Sequence, residues 1–439
     1  MTASPIILWF KDDFRFVDNA ALNAAAKTKR TIIPIIISDK KLNPKAKEWR
    51  LSSVSSLAKK INTLQGNLYY FDDENKSLQE TIILICRLTS ASEIYTSESA
   101  SFNKSEKEFE LQKELSKNNL LLHISPPNLL VARDAVRNKT GNPYQKFAGF
   151  YNRLLELDIE TPVSAPKDIN FYNSSDLEKY IFKQYTKPNN FYAQPGEEGA
   201  FSVLEYFIKN RLKDYSVNRE FPAITGTSML SPYIALGEIS VKTIWHTVKQ
   251  SFLEQDKISF LRQVVWREFC YDLLKRYPNM AEKPIRDNFA SFPWTFDKEL
   301  FEKWQNGITG YPLVDAGIRE LNQTGYMHNR VRMITASFLT KHLLIPWQFG
   351  EKYFKEKLLD YDEANNAGNW QWVAGCGMDS APFFRIFNPE LQAQKFDSKQ
   401  EYILKYIPEF FTSYPKPIVN HQKAREAALT AYHTNLGRI

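Results

Sequence analysis

Cysteines and long hydrophobic runs are both scarce in this chain of 439 residues. The three cysteines, Cys86, Cys270 and Cys376, form no Cys-x-x-Cys pair, which excludes a four-cysteine metal site and indicates a reducing compartment. No apolar run is long enough to span a membrane, and the opening MTASPIILWFKDD becomes charged too early for a signal peptide. These absences predict a soluble, cytoplasmic protein.

The glycine motifs that usually mark nucleotide-binding folds are missing as well, since neither G-x-G-x-x-G nor a P-loop occurs. Positive charge and aromatic rings are present instead. The 57 Lys and Arg exceed the 50 Asp and Glu, and a net charge of +7 suits a polyanionic partner such as nucleic acid. Aromatic residues make up 14%, and all tryptophans except Trp9 and Trp49 lie from Trp245 onward, which suits stacking on a flat ligand there.

Hydrophobic patterns divide the chain into three parts. In residues 1–130, β-rich runs alternate with helical patterns, which predicts an α/β domain with a doubly wound, Rossmann-like parallel sheet. Residues 131–198 are polar and rich in helix breakers, and we interpret them as an interdomain connector. From 199 to 439 helical periodicity dominates, which predicts a large α-helical domain. The predicted strands are Ile6–Phe10, Thr31–Ser38 (with Pro34 at an edge or bulge), Leu68–Phe71, Ile94–Thr96 and Leu120–Ile124.

Two segments of the helical part combine polar groups with rings. Tyr215 and the run Thr227–Ser231 gather hydroxyls before a helix start, as in a phosphate cradle, although plain helix capping gives the same pattern. Gln263 and Trp266 are three residues apart and therefore share one face of a helix. A ring beside an amide can stack on a base and bond its edge, whereas the alternative is a buried Trp beside a satisfied Gln.

Two further segments carry groups that could contact a heterocycle. Asn329 and Met333 share a helix face, as do His328 and Arg332, and a histidine there is either a base or a structural residue. The segment from Asp360 to Trp372 begins with Asp360 and Asp362 and continues with amides, which suits reading a donor and acceptor pattern. A metal site is the competing interpretation, but His and Cys ligands are missing nearby, so no metal is predicted.

The motifs of these segments resemble the photolyase/cryptochrome family, and in particular its class I cyclobutane pyrimidine dimer photolyases. The opening from Trp9 to Asn19 and the close from Tyr414 to His421 resemble it too, so the resemblance covers nearly the whole chain. The family's order is kept by Trp-Arg-Glu-Phe at 266–269, Thr-Gly-Tyr-Pro-Leu-Val-Asp-Ala from 309, His-Asn-Arg-Val-Arg-Met from 328, Asn-Trp-Gln-Trp from 369 and Phe-Arg-Ile-Phe-Asn-Pro from 384.

The resemblance implies FAD bound inside the helical domain. Arg332 and Asp360 match a salt bridge beside the flavin ring, and Asn366 matches the residue that faces flavin N5. The family often has Arg where Met229 stands, which removes one phosphate contact. The full set implied to bind the cofactor is Tyr215, Thr227, Ser228, Met229, Leu230, Ser231, Arg267, Asn329, Arg332, Asp360, Asp362 and Asn366.

The resemblance also implies the chemistry. Trp370, Trp347 and Trp294 match a chain that carries electrons from the surface to the flavin. Light then drives an electron from reduced FAD to a pyrimidine dimer in DNA, the cyclobutane bonds break, and the electron returns. The partner is thus damaged DNA, with the dimer flipped out of the stack. The implied protein is a monomer without an obligate protein partner, and it is associated with the nucleoid if it is bacterial.

Two sets of residues match the DNA side of the family. Gln263, Trp266, Asn329, Met333 and Trp372 would line the dimer pocket, while Arg219, Arg330, Arg385 and Lys395 lie at positions near phosphates. The choice of lesion is divided. Cyclobutane-specific relatives usually have Glu at the place of Gln263, and Gln is typical of (6-4) photolyases. Met333, however, stands where (6-4) enzymes carry a histidine. We follow Met333 and predict cyclobutane dimers, with (6-4) repair as the alternative.

The antenna chromophore and a signalling role stay open. Folate-binding relatives carry an Asn-Glu pair where this chain reads Phe102-Asn103-Lys104, and a lysine does not accept a pterin's hydrogen bonds. This argues against folate and leaves a deazaflavin, another chromophore or none. A cryptochrome photosensor is the remaining alternative, but such proteins often have a long C-terminal extension and this chain stops soon after His421.

Overall fold

The structure is a computed structural model that describes residues 4–38, 42–72, 75–185, 193–380, 382–383 and 385–436. Part of the predicted connector (186–192) and Phe384 of the last family motif lie outside the described residues.

A parallel sheet forms the core of the N-terminal part. Its five strands follow the order β3-β2-β1-β4-β5, and each neighbouring pair is parallel. This confirms the predicted doubly wound α/β fold and all five predicted strands. Successive residues of β1 enter different apolar clusters, Ile6 and Leu8 one and Ile7 and Trp9 the other, as expected for a sheet covered on both faces. The strands are β1 (Ile6–Phe10), β2 (Ile32–Ile37), β3 (Tyr69–Phe71), β4 (Glu93–Ser97) and β5 (Leu121–Ser125).

The expected edge or bulge position of Pro34 is wrong, because β2 lies between β1 and β3. Pro34 pairs with Leu8 of β1, while the pairing with β3 begins only at Ile35 and Tyr69. A proline has no backbone N–H to give to a ladder. Here it precedes the part of β2 that the short strand β3 covers, which explains why an interior strand tolerates it.

Helices dominate the remainder, as predicted. Pro312–Thr324 is a helix with the predicted bounds, and the pattern predicted for Phe260–Leu274 belongs to a longer helix. The α-helices are α1 (Ala20–Lys27), α2 (Pro44–Thr63), α3 (Leu78–Thr89), α4 (Phe102–Ser116), α5 (Phe147–Leu155), α6 (Glu197–Asn210), α7 (Tyr215–Asn218), α8 (Ser231–Ala235), α9 (Val241–Lys249), α10 (Glu254–Arg276), α11 (Lys298–Gln305), α12 (Pro312–Thr324), α13 (Asn329–Ser337), α14 (Trp347–Lys357), α15 (Glu363–Ala374), α16 (Pro389–Phe396), α17 (Glu401–Tyr406) and α18 (His421–Leu436).

By their internal contacts, the residues form two compact units. The first comprises Met1–Ala135, Glu156–Lys209 and Ser228–Phe252, and the second comprises Val136–Leu155, Asn210–Thr227 and Leu253–Ile439. The first unit is built on the sheet, and the second packs its helices around a core that includes Trp304, Trp347 and Trp370. The boundaries predicted at residues 130 and 198 stay predictions.

Within the described ranges, no helix is both long enough and apolar enough to cross a membrane.

Candidate functional site

A small cavity in the second unit lies where α13, α14 and α15 face one another. Its volume is about 90 Å³, and its wall mixes polar groups with two aromatic rings, Phe354 and Trp370. The lining residues are Asn329, Arg332, Met333, Ala336, Phe354, Leu358, Asp360, Asp362, Asn365, Asn366, Asn369, Trp370 and Val373. Seven residues predicted to bind cofactor or dimer, or to carry electrons, thus share one cavity: Asn329, Arg332, Met333, Asp360, Asp362, Asn366 and Trp370.

An ion pair fixes one wall of the cavity. Arg332 donates through Nη2 to both oxygens of Asp360, at 3.1 and 2.8 Å, and through Nε to the carbonyl of Met327. Burial alone would lower the pKa of Arg332, but Asp360, Tyr326 and Glu320 together outweigh it and the pKa is raised. The predicted salt bridge is therefore present.

A second carboxylate, Asp362, is held by groups from two helices. It caps α15 by accepting from the backbone N–H of Asn365 at 2.9 Å, and it accepts from the hydroxyl of Tyr271 at 2.5 Å. Arg267 Nε lies 4.0 Å from the same carboxylate. Two hydrogen bonds, from Tyr271 on α10 and Asn365 on α15, and the nearby charge of Arg267 thus keep Asp362 in place at the cavity wall.

Asn366 is oriented by a buried acid. Its amide nitrogen donates to the side chain of Glu351 at 2.9 Å and to the carbonyl of Glu351 at 3.1 Å. Both residues are buried, and burial raises the pKa of Glu351, against the opposing effect of the hydrogen bond from Asn366. With both amide protons used, the oxygen of Asn366 is the atom left for the cavity.

These residues fit the flavin that the resemblance implies. Asp360, Asp362 and the oxygen of Asn366 are acceptors, as the N–H groups of a reduced flavin ring require. Arg267 adds an unused donor, since its buried Nε lacks a hydrogen-bond partner.

The predicted phosphate segment is not a set of helix caps. No side chain caps α8, which begins at Ser231, and Met229 adopts a left-handed backbone with φ of 59°. The hydroxyl of Ser228 instead accepts from the N–H of Leu230 at 3.4 Å. Tyr215 and Thr227 belong to the second unit, and the residues from Ser228 to Ser231 belong to the first. The helix α8 therefore begins without a side-chain cap from this segment.

The three tryptophans of the predicted electron chain belong to one apolar core. Trp370 and Trp347 are buried, whereas Trp294 is only partly buried and packs beside Phe292 at a ring distance of 4.4 Å. Gly350, one turn after Trp347 on α14, approaches the ring of Trp370 so closely that a Cβ would lie 2.1 Å from it. Trp294 is thus the most exposed of the three rings, and the resemblance assigns it to the surface end of the chain.

The predicted dimer-contact residues lie on α10, α13 and α15. Asn329 and Met333 do stack one turn apart, with the amide nitrogen 3.9 Å from the sulfur. The amide of Gln263 donates to the carbonyl of Ser259 on its own helix at 3.2 Å. Trp266 is half-buried and lies face to face with Phe147, with ring centres 3.7 Å apart and planes 5° apart. Trp372 is half-buried as well.

The predicted phosphate-contact residues form a basic cluster, defined by Arg219, Arg330, Arg385 and Lys395. Burial lowers the pKa of Arg330, and the charges of Arg219 and Arg385 lower it further. Arg330 thus lies close enough to both arginines to be repelled by their charges. Arg330 lies over the ring of Phe396 at 4.6 Å, and Lys395 lies over the same ring at 5.2 Å.

The structural interpretation of His328 is confirmed. Its Nδ1 accepts from the N–H of Arg330 and so caps α13. Burial lowers its pKa to about 4, and Arg332 and Arg219 act in the same direction, so it is neutral at pH 7. In the described part of the chain, no three His, Cys, Asp or Glu side chains are grouped as metal ligands.

The first unit has a larger cavity of about 520 Å³ near the ends of β1 and β2. Rings of Trp9 and Phe71 line it together with several cations, and Lys104 pairs with Asp12 at 3.5 Å. Burial would raise the pKa of Asp12, but Lys104, Arg50 and Lys11 outweigh it and the pKa is lowered. The cavity is thus a ring-lined space with a positive border.

Several residues of these sites had no sequence signal. Glu351 precedes Asn366 by 15 positions, and Tyr271 precedes Asp362 by 91, so no helical spacing connects either pair. Phe147 lies in the segment that we interpret as a connector, where the sequence does not show that this ring packs against α10. Helix packing alone creates these contacts.

Two family models match the chain. Residues 6–167 match the model described as DNA photolyase, and residues 260–413 match the FAD binding domain of DNA photolyase. A curated relative from Agrobacterium fabrum, named deoxyribodipyrimidine photo-lyase, is 37% identical, with 98% of both chains covered.

Solved structures of a photolyase and a cryptochrome have the same fold as this chain. A class III photolyase from Agrobacterium tumefaciens superposes with a TM-score of 0.91 at 37% identity, covering 100% of this chain and 99% of the other. A cryptochrome from Synechocystis gives a TM-score of 0.86 at 27% identity, covering 98% of this chain and 100% of the other.

Proposed function

Because the chain belongs to the DNA photolyase family, we propose that it repairs cyclobutane pyrimidine dimers in DNA with light, by electron transfer from a bound reduced FAD. The observation that carries this proposal is the cavity of the second unit, where Arg332, Asp360, Asp362, Asn366 and Trp370 line one space. The family makes the chain a flavin enzyme; the lesion and the residue roles are the proposed part.

The chain's own residues would hold the cofactor without acid–base chemistry. Reduced FAD, when bound, supplies the electron that light transfers to the dimer. Asp360 and Asp362 would accept hydrogen bonds from the ring, and Arg332 holds Asp360 in place through its Nη2. Asn366 would present its oxygen at flavin N5, because Glu351 binds its nitrogen. An amide is no acid, so the site would not protonate that position.

Electrons for activation would enter through Trp294, Trp347 and Trp370. Trp370 lines the cavity and its ring is buried, so it can be the last donor before the flavin. Trp294 is partly buried and can exchange electrons with a reductant in solution. Arg267, buried beside Asp362, adds positive charge that favours a reduced, anionic ring.

The dimer would bind between rings and one sulfur. Trp266 is held rigid on one side by Phe147, and a rigid ring binds a flipped base with little loss of entropy. Met333 and Asn329 share a face of α13 and would contact the dimer beside the flavin. The basic cluster would bind the phosphates on either side, and a damaged, weakly stacked step is cheaper to flip.

Met333 supports cyclobutane dimers over (6-4) products, because a thioether cannot give the proton that a histidine gives. His328 does not replace that histidine, since it is buried, neutral and caps α13. The amide of Gln263 donates a hydrogen bond to the carbonyl of Ser259, so it would have to turn to reach a thymine carbonyl. Assignment to class I stays a prediction, and the similarity to a class III photolyase from Agrobacterium tumefaciens favours class III as the alternative.

A second chromophore would fit the cavity of the first unit. Trp9 and Phe71 offer flat apolar contact, and Lys76, Lys104 and Lys107 suit a chromophore with anionic groups. Lys104 still argues against folate. A deazaflavin or a nucleotide-bearing flavin carries the negative charge that would pair with the lysines of this cavity. Absorbance of the denatured supernatant, after FAD is subtracted, tests this assignment.

For its partners, we propose damaged DNA and no obligate protein, with the enzyme monomeric, cytoplasmic and associated with the nucleoid in a bacterium. The similarity to a cryptochrome favours a photosensor as the second candidate. DNA binding measured in the dark distinguishes the repair enzyme from the photosensor. The reduced holoprotein should bind an oligonucleotide with one cyclobutane dimer more tightly than undamaged DNA, and illumination should release it. Equal affinity for both DNAs would favour the sensor.

A further inference from the structure

The basic cluster of the second unit contains a carboxylate, Glu220, that engages two of its arginines. Arg219 Nε lies 3.5 Å from Oε1 of Glu220, and Arg330 Nη2 pairs with Oε2. The side chains of Glu220, Arg219 and Arg330 are only 29%, 20% and 19% exposed. One carboxylate therefore bridges two arginines with its two oxygens, in a setting that solvent screens only in part.

This bridge has an electrostatic reason. Arg219 and Arg385 both act on Arg330, and their positive charges lower its pKa. Phe396 lies under the guanidinium of Arg330 at 4.6 Å and limits where it can turn. A negative group between the arginines offsets their repulsion and holds both guanidinium planes in place.

A DNA phosphate offers the same two features as Glu220. It carries one negative charge, and it presents two oxygens that a guanidinium binds in the same forked geometry as a carboxylate. A phosphate that approaches Arg219 and Arg330 must therefore displace Glu220, whose charge then lies unpaired beside the anionic backbone.

We propose that Glu220 occupies the phosphate position of Arg219 and Arg330 in the free protein, and that it thereby limits the affinity for DNA. This inference rests on the proposed function, which assigns the cluster to DNA phosphates. Non-specific affinity is almost wholly electrostatic, so Glu220 acts most visibly on undamaged DNA. Lesion DNA keeps its advantage because a flipped dimer adds contacts in the pocket.

The test is Glu220→Gln, which keeps the shape and removes the charge. Fluorescence anisotropy in the dark, on undamaged duplex and on duplex with one cyclobutane dimer, should show about threefold to tenfold tighter binding. The decrease of affinity with salt should also become steeper, since more phosphate charge is neutralised. Glu409→Gln is the matched control, because it removes the same charge from an ion pair with Arg319. Its affinity should stay unchanged.

Arg330→Gln separates the two proposals. If it leaves DNA affinity unchanged, the cluster does not bind phosphates, and the DNA part of the proposed function fails together with this inference. If it weakens binding while Glu220→Gln and Glu220→Ala bind no more tightly than the unmodified protein, only the role of Glu220 is overturned. Tighter binding by both Glu220 variants, with a steeper salt dependence, establishes it.

Discussion

The side-chain amide of Asn366 donates to the buried carboxyl of Glu351 at 2.9 Å, on neighbouring helices α15 and α14. This one contact decides which atom of Asn366 faces the cavity. An asparagine can turn either its oxygen or its nitrogen toward a ligand, and the two ends differ in sign. Glu351 selects the oxygen, so Glu351 is a positioning residue.

Replacement of Glu351 tests this orientation. Glu351→Leu leaves the amide of Asn366 without its side-chain acceptor, and the amide can then turn its nitrogen to the ring. We expect repair per absorbed photon to fall by about threefold or more, since the site loses its preorganised geometry. Glu351→Gln still offers an oxygen and should restore most of the yield. Equal yields for the Leu variant and the unmodified protein would show that Glu351 does not position Asn366.

Trp370 carries the second prediction. Trp370→Phe should nearly abolish light-driven reduction of oxidised FAD, because its buried ring is the proposed last donor. Repair should stay largely intact when the flavin is first reduced chemically. Trp245→Phe is the control, since Trp245 is equally buried but belongs to the first unit. An unchanged rate of photoreduction in the Trp370 variant means that another residue gives the electron.

A buried acid in the first unit predicts how stability depends on pH. Glu238 is fully buried, burial raises its pKa from 4.5 to about 7, and its partners Trp49, Ser53 and Gly196 are uncharged donors. The folded state therefore binds a proton between pH 4.5 and 7 that the unfolded state has lost. Stability from this group is complete below pH 4.5, and about 3 kcal/mol of it is lost as the pH rises through 7.

Unfolding in urea at pH 5 and pH 8 measures this loss. Glu238→Gln should remove this contribution to the pH dependence, because an amide does not ionise in this range. If the variant keeps the full difference between the two pH values, other groups cause it.

The lesion pocket carries the fourth prediction. Gln263→Ala removes the proposed donor to a thymine carbonyl and should weaken binding of a cyclobutane dimer by about 1 kcal/mol. Gln263→Glu should keep or modestly raise repair, because burial can hold the acid protonated and donating. Dissociation constants and repair yields of both variants test this. A Gln263→Ala variant with unchanged affinity would show that Gln263 keeps its bond to Ser259 in the complex.

Met333→His is the complementary change, since it recreates the histidine of (6-4) enzymes. We expect it to lower cyclobutane repair, because an imidazole replaces the polarisable thioether at the dimer. Product analysis by chromatography checks the result, with the unmodified protein as reference.

The elements of this fold were predictable because periodicity is local. Alternation of apolar runs gave all five strands, and Pro312–Thr324 has the bounds that its proline and Gly325 indicate. Sheet order depends on contacts far apart in the chain, so the sequence does not show that β2 lies inside the sheet. Pro34 is tolerated there because the pairing of β2 with β3 begins only at Ile35.

The same limit applies to the site. Asp360, Asp362 and Asn366 share one motif, so their common location follows from a single helix start. The residues that orient them, Glu351 and Tyr271, come from other helices and are identified only by packing. Likewise, the sequence shows only that Glu220 follows Arg219. Its ion pair with Arg330 on α13 is a contact that only the fold creates.

The central claim is light-driven repair of cyclobutane dimers, and one measurement tests it most directly. The chemically reduced holoprotein is illuminated with two oligonucleotides, one with a cyclobutane thymine dimer and one with a (6-4) product, and the products are separated by chromatography. Our account predicts light-dependent recovery of intact thymines from the cyclobutane dimer alone, and no change in the dark. Recovery from the (6-4) product with none from the cyclobutane dimer, or no recovery from either, would contradict it.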